Sequence, residues 1–396
     1  MNKCTLLCVH NYCKEGGILE ELAVYIHMPF CKKKCHYCDF VSFAGMDDWI
    51  DEYIDFLLME MNWYKPYLKD YSIKTLFIGG GTPSYVDGKY IKRLIEFIRE
   101  NYNAENVEEI TIEANPGTLN REKLILYKEA GVNRISLGAQ SLNDRLLKTI
   151  GRIHTSEDVV ESIRLIKALG FDNINVDLMF GLPNQTVADC ISTLEVVVDL
   201  GVEHISYYSL ILEENTPISR WYEEGKIKLP DDELDRMMYH EGVKFLKSKG
   251  FKHYEISNFC KPGFECKHNL FYWQIRPYMG FGIAAHSNVE KNRFSNYTSF
   301  NDYFSSLKED KAPINVAEYI DSNMEMAEYM IMGLRLIDGI DKDDFRSRFG
   351  KNIEDVYGHV IDKYVREGLL EENSNNVKFT EKGLDLSNIV YVDILP

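Results

Sequence analysis

Six short apolar runs, each followed by a helical pattern, restrict this chain to a parallel α/β fold. They are Leu22 to His27, Thr75 to Gly79, Glu109 to Glu113, Arg134 to Gly138, Asn173 to Leu178 and His204 to Ser209. Their apolar residues are nearly continuous rather than alternating, as expected of strands covered on both faces. The clearest helix between them takes Ser156 as N-cap, carries Val159, Val160, Ile163, Ile166 and Leu169, and stops at Gly170. Right-handed crossovers then allow a doubly wound sheet or a full or partial barrel, and periodicity does not choose between them. In both, ligands gather at the carboxyl ends of the strands.

The 396 residues suffice for one large α/β domain and a smaller appendage. Residues 1–20 read as an irregular extension, 21–230 as the core, and 231–320 as a helix plus a segment completing that core. From 321 to 396 the pattern becomes helical, with an amphipathic stretch from Glu354 to Glu367 and a hairpin from Leu369 to Phe379 turning at Asn373 to Asn376. That suits a small winged-helix-like α+β module. Winged helices often bind DNA, but residues 322–396 hold 9 basic and 15 acidic residues, a net charge of −6. The module is expected to pack or to meet a partner protein.

The whole chain carries a net charge of −17, which repels phosphate backbones and anionic lipid surfaces. A nucleic-acid partner is therefore not expected. A short apolar patch at Leu6 and Leu7 is interrupted from Asn11 to Gly17 before a signal sequence could form, and no later run reaches bilayer length. The expected compartment is the cytoplasm.

Nine cysteines, an odd number, argue for metal or redox chemistry rather than a disulfide framework. Cys31, Cys35 and Cys38 form CxxxCxxC directly after a strand and Pro29. Soft thiolates select iron–sulfur clusters, zinc or Cu(I). Three buried cysteines on one helical face would fit the spacing, but Pro29 and the run Lys32 to Lys34 make that awkward. Zinc with His36 as fourth ligand is a stronger rival. Three thiolates on a four-iron cube leave one iron open to another molecule. A second motif, Gly79-Gly80-Gly81-Thr82-Pro83, follows the Thr75 strand, where glycines let backbone groups approach a ligand closely. Cys190 falls in a helical pattern and reads as core. Cys4, Cys8 and Cys13 fit a ragged extension better than a further metal site.

CxxxCxxC with Tyr37 before its last cysteine resembles the signature of the radical S-adenosylmethionine (SAM) superfamily. The resemblance implies a partial (β/α)6 barrel, a [4Fe-4S] cluster on Cys31, Cys35 and Cys38, and SAM chelating the open iron. Gly80, Gly81 and Thr82 resemble the loop that hydrogen-bonds the amino group of SAM. Tyr25, Glu113 in IEANPG, Gln140 in SLGAQS, Arg152 in GRIHT and Asp177 in NVDLMFGLP match SAM-contacting positions of the coproporphyrinogen-oxidase branch.

Within that branch the chain, from Leu22 to its end, is most similar to heme chaperones. The segment Cys266 to Trp273 reads CKHNLFYW and contains their HNxxYW pattern. This implies heme as a further cofactor, with His268 or else Cys266 as axial ligand and Phe271, Tyr272 and Trp273 against the macrocycle. On the residues alone, a buried aromatic loop with a hydrogen-bonded histidine fits better, since a lone histidine among aromatic residues usually belongs to a core. The function implied is to bind heme and hand it to acceptor heme proteins, respiratory ones among them. Peripheral membrane association through partners and a homodimer are compatible with that resemblance. Two alternatives stand beside it. Oxygen-independent coproporphyrinogen III oxidases carry a further cysteine two residues after the third, where this chain has Phe40. The other is a heme-binding module with a vestigial SAM site, which sits poorly with the intact cysteines and glycine loop.

Overall fold

A computed structural model of the chain describes residues 19–396, so Cys4, Cys8 and Cys13 lie outside the described residues. All six expected strands are present: β1 (Glu20–Met28), β2 (Tyr71–Gly80), β3 (Glu109–Ala114), β4 (Arg134–Gln140), β5 (Ile174–Phe180) and β6 (His204–Ser209). Each pairs parallel with the next in chain order. A doubly wound sheet reverses its strand order at a switch point, and this one does not. The other edge of β1 pairs parallel with Tyr278–Phe281, so the six strands form a partial barrel that extends past β1 instead of closing onto β6. An antiparallel meander, His286–Val289, Asn292–Asn296 and Ile314–Tyr319, continues from there.

Helices α1 (Ile50–Tyr64), α2 (Gly88–Asn101), α3 (Arg121–Ala130), α4 (Ser156–Ala168) and α5 (Val187–Asp199) alternate with these strands. The N-cap of α4 is Thr155, one residue before the expected Ser156. Its hydroxyl accepts from Asp158 N–H at 3.3 Å while the Asp158 carboxylate accepts from Thr155 N–H at 2.7 Å. This reciprocal pair satisfies two orphan donors, and Ser156 has no comparable partner three residues on. Val159, Ile163 and Ile166 on α4, and Cys190 on α5, are buried as their spacing requires. Leu22, Val24, Ile26 and Met28 of β1 are fully buried, each contributing about 1.5–3 kcal/mol.

Two buried side chains anchor helix α1, Tyr53 to the site end of β1 and Glu60 to the segment that follows Phe281. The Tyr53 hydroxyl donates to the His27 carbonyl at 2.6 Å. Glu60 accepts from Gly282 N–H at 2.7 Å, Asn296 Nδ2 at 2.6 Å and the Tyr303 hydroxyl at 2.5 Å. Burial lifts the Glu60 carboxyl to about 7.

The chain divides into two compact units, one running to Gly242 and resuming at Pro277–Tyr319, the other comprising Val243–Arg276 and Ile320–Pro396. Residues 231–320 therefore do not complete the core as one piece. The reason lies in the pairing: Tyr278–Phe281 hydrogen-bonds to β1, whereas Glu255 bridges to Leu336. In the second unit, helices Ser322–Gly333, Lys342–Phe349 and Ile353–Arg366 pack over Met330, Phe345, Ile361 and Val377. A three-stranded sheet with Asn376–Phe379 at its centre completes the winged-helix-like α+β arrangement. Its turn sits where the sequence places it, with Asn373 Oδ1 accepting from the N–H groups of Asn375 and Asn376.

Candidate functional site

Strand β1 delivers the cysteine loop and β2 delivers the glycine loop, and their register sets the two side by side, with Met28 opposite Gly80. Beyond β1, Phe30–Cys31 pairs with Phe43–Ala44, closing a loop that carries Cys35 and Cys38. Gly81 N–H donates to Met28 O and Thr82 N–H to Phe30 O, both at 2.8 Å. A Cβ on Gly81 would lie 2.8 Å from each of those oxygens, so only glycine permits this lacing. Cys31 Sγ consequently lies 3.4 Å from Thr82 Oγ1.

One cavity at the strand ends is lined by Cys31, Cys35, Cys38, Gly80, Gly81, Thr82, Glu113, Gln140, Arg152 and Asp177, together with Tyr37, Phe40, Asn115, Ser136 and Tyr208. The structure thus brings together the three cysteines and seven of the eight side chains or loop positions matched to SAM. Tyr25 stands apart from the lining. Its hydroxyl is hydrogen-bonded to His27 Nδ1 at 3.0 Å and its ring stacks on Phe77.

The lining is a connected network. Glu113 Oε2 accepts from Gly80 N–H at 3.0 Å. Asn115 donates to Thr82 Oγ1 at 2.9 Å and accepts from Arg152 Nη2 at 2.6 Å. Arg152 also donates to the Gly138 carbonyl, and its Nη1 lies 3.5 Å from Cys35 Sγ. Asp177 accepts from Ser136 Oγ at 3.1 Å and Asn175 Nδ2 at 2.7 Å. Gln140 takes a φ of 67°, unusual for a residue with a side chain, and accepts from the Tyr208 hydroxyl at 2.9 Å. Asn115 and Tyr208 were not singled out in the sequence, although Asn115 stands two residues after Glu113 in the same strand-end motif.

Charge follows from this packing. Burial, then the neighbouring Asp177, lifts the Glu113 carboxyl to about 7. Burial works against the charge on Arg152, but Tyr37 and Cys35 beside it hold the guanidinium above its usual range. Burial raises the Cys31 thiol and pushes Cys38 up to about 11. Three soft sulfur donors beside a half-buried cation suit an anionic iron–sulfur group better than a hard ion. His36, the fourth ligand of the zinc reading, is not among the residues that line this cavity. His36 Nδ1 is 3.1 Å from the Thr149 carbonyl, and its ring meets Trp221 edge-on with centroids 4.7 Å apart.

The HNxxYW segment lies in the second unit, on the helix Lys267–Trp273. His268 is 1% exposed, with Nε2 2.9 Å from the Tyr272 hydroxyl. Cys266 is fully buried and its N–H donates to Tyr254 at 3.2 Å. In this conformation the segment is a buried aromatic one with a hydrogen-bonded histidine, and neither residue lines the cavity of the cysteines.

A sequential α/β arc that brings three thiols and a glycine loop to one strand-end cavity defines a radical SAM protein, and the Radical SAM superfamily model matches residues 25–197. The HemN C-terminal domain model matches residues 320–386. The chain is 36% identical to "Heme chaperone HemW" of Bacillus subtilis, across 93% of this chain and 98% of that relative. It is 33% identical to the protein of the same name from Escherichia coli, across 92% and 96%. The chain belongs to the HemW family. Its fold is that of the solved coproporphyrinogen III oxidase HemN from Escherichia coli, with a TM-score of 0.82 at 22% identity, covering 95% of this chain and 90% of that one.

Proposed function

We propose that this protein is a radical SAM heme chaperone, which binds heme and passes it to acceptor heme proteins. The observation that carries the reading is the single cavity shared by Cys31, Cys35, Cys38, the glycine loop, Glu113, Gln140, Arg152 and Asp177. The three cysteines would hold a [4Fe-4S] cluster, which would supply one-electron reduction at the site where SAM binds. Gly80, Gly81, Thr82 and Glu113 receive the amino group of SAM, while Gln140, Arg152 and Asp177 orient the rest of it. Arg152 also neutralises thiolate charge at Cys35, which it already approaches. Tyr25 acts from outside the lining, by fixing His27 beneath the loop.

Heme would be held at the helix Lys267–Trp273, with His268 offering its imidazole nitrogen once the Tyr272 hydroxyl turns away, and Cys266 as the second choice. The relatives named heme chaperones favour this over the oxidase, as does Phe40, 63% exposed, in the place of a further cysteine. No helix among the described residues is long and apolar enough to cross a membrane, so acceptors at a membrane would be reached by peripheral contact. The test is anaerobic reconstitution followed by heme titration and transfer to an apo heme protein. Heme uptake and delivery without change to the porphyrin supports the reading. Anaerobic SAM-dependent decarboxylation of coproporphyrinogen III would replace it with the oxidase.

A further inference from the structure

Three buried polar side chains, Ser136, Asn175 and His204, stand level with one another on β4, β5 and β6. Asn175 precedes Asp177 by two residues on β5, so the two share a face of the sheet. Its Nδ2 donates to Asp177 Oδ1 at 2.7 Å and to Ser136 Oγ at 2.8 Å. Ser136 Oγ in turn donates to Asp177 Oδ2 at 3.1 Å. On the other side, Asn175 Oδ1 accepts from His204 Nδ1 at 2.6 Å and from Ser206 Oγ at 3.2 Å. All four hydrogen-bonding positions of this amide are thereby used.

These contacts run in one direction. A carboxylate at Asp177 only accepts, so the amide of Asn175 must turn its Nδ2 toward β4 and the cavity and its oxygen toward β6. His204 must then carry its proton on Nδ1. A turned amide would set oxygen against the carboxylate and strip Ser136 of the donor that aims its own hydrogen at Asp177. Burial holds the His204 imidazole well below its usual range, and Arg134, two residues before Ser136 on β4, pushes the same way. A neutral imidazole has one N–H and two nitrogens to place it on, so that placement decides how Asn175 lies. An apolar side chain would fill the same space without burying a polar ring.

We propose that His204 is a positioning residue of the SAM site, which acts through Asn175 to set the direction of the two hydrogen bonds that orient Asp177. The proposal rests on the SAM reading above and deepens it. Asp177 and Ser136 line the cavity, whereas Asn175 and His204 are not among its lining residues. Both therefore act through the carboxylate. Each Asp177 oxygen is held by one donor from the strands, which leaves its remaining lone pairs for donors of bound SAM.

The experiment measures SAM affinity by equilibrium dialysis on the full chain, anaerobically reconstituted. His204→Leu keeps nearly the same volume but removes the Nδ1 donor, so Asn175 can turn, and affinity should fall about tenfold with cluster content unchanged. His204→Asn is smaller but can put an amide donor where Nδ1 stood, and should bind within about twofold of wild type. A purely packing role predicts the opposite order, because asparagine leaves the larger hole. Asn175→Asp keeps the shape and the acceptor for His204 but replaces the donor facing Asp177 with an oxygen. Its affinity should also fall by about tenfold or more, and it decides the matter should His204→Leu fail to fold or to take up its cluster. Unchanged affinity in His204→Leu or in Asn175→Asp overturns the proposal, as does weaker binding by His204→Asn than by His204→Leu. Wild type that carries a full cluster yet retains no SAM overturns the SAM reading itself, and the proposal with it.

Discussion

Gly80 lies directly over the His27 imidazole: a Cβ at Gly80 would come within 2.5 Å of the ring's Cε1 and Nδ1. The same ring holds the far side of the cysteine loop, through Nε2 to the Val41 carbonyl at 2.8 Å, and burial drives its pKa down to about 4 so that it stays neutral. One histidine therefore couples β1, the glycine loop and the cysteine loop. Gly80→Ala both crowds that ring and puts a side chain at a φ of +111°. The expected cost is about 2–4 kcal/mol, read as a lower urea midpoint, together with loss of cluster uptake. A midpoint within error of wild type would contradict the coupling.

Arg152 links three parts of the cavity: Asn115, the Gly138 carbonyl and Cys35. Arg152→Gln removes the charge but keeps a short polar side chain. SAM affinity should fall by roughly ten- to hundredfold, measured by equilibrium dialysis on the anaerobic protein, while cluster content changes little. Unchanged SAM affinity would reduce Arg152 to a structural tie.

Glu60 makes stability depend on pH. Its carboxyl titrates at about 7 when folded and near 4.5 when unfolded, so between these values the folded state holds more protons. Stability from this group is complete below about 4.5 and declines as pH rises through 7, by about 3 kcal/mol in total. In Glu60→Gln that decline disappears, whatever constant offset the amide brings. The check is the difference in urea-unfolding free energy between the two proteins at several pH values from 4.5 to 8. A difference that does not change with pH would contradict the assignment.

Tyr272 competes with any metal for His268 Nε2. If His268 ligates heme through that nitrogen, Tyr272→Phe removes one hydrogen bond that must break first and tightens heme binding by about fivefold. Weaker binding in this variant would point to Cys266 or to another ligand. Absorbance titration of both proteins decides it.

The parts of this molecule legible in its sequence are those with a periodic or spaced signature. Continuous apolar runs located all six strands, whereas Gly80, Glu113, Gln140 and Asp177 were found by their match to a family's SAM-contacting positions, and all four line the cavity. Choosing the barrel over the doubly wound sheet needed strand order, which no local pattern contains. Asn115 and Tyr208 escaped because a single polar residue at a strand end looks the same whether it faces a ligand or a neighbour. The φ of Gln140 left no trace in its residue type. The division at Gly242, Pro277 and Ile320 was hidden because the chain leaves the first unit, returns to pair at Tyr278–Phe281, and leaves again.

The central claim is that Cys31, Cys35 and Cys38 anchor a cluster with one iron left for SAM. Metal and sulfide analysis of the anaerobically reconstituted chain, with electron paramagnetic resonance of the reduced protein before and after adding SAM, tests it most directly. The account predicts about four irons and four sulfides per chain, a signal that shifts when SAM is added, and loss of both in Cys35→Ser while the far-UV spectrum is retained. A single zinc with no iron uptake, or a full cluster whose signal ignores SAM, would contradict it.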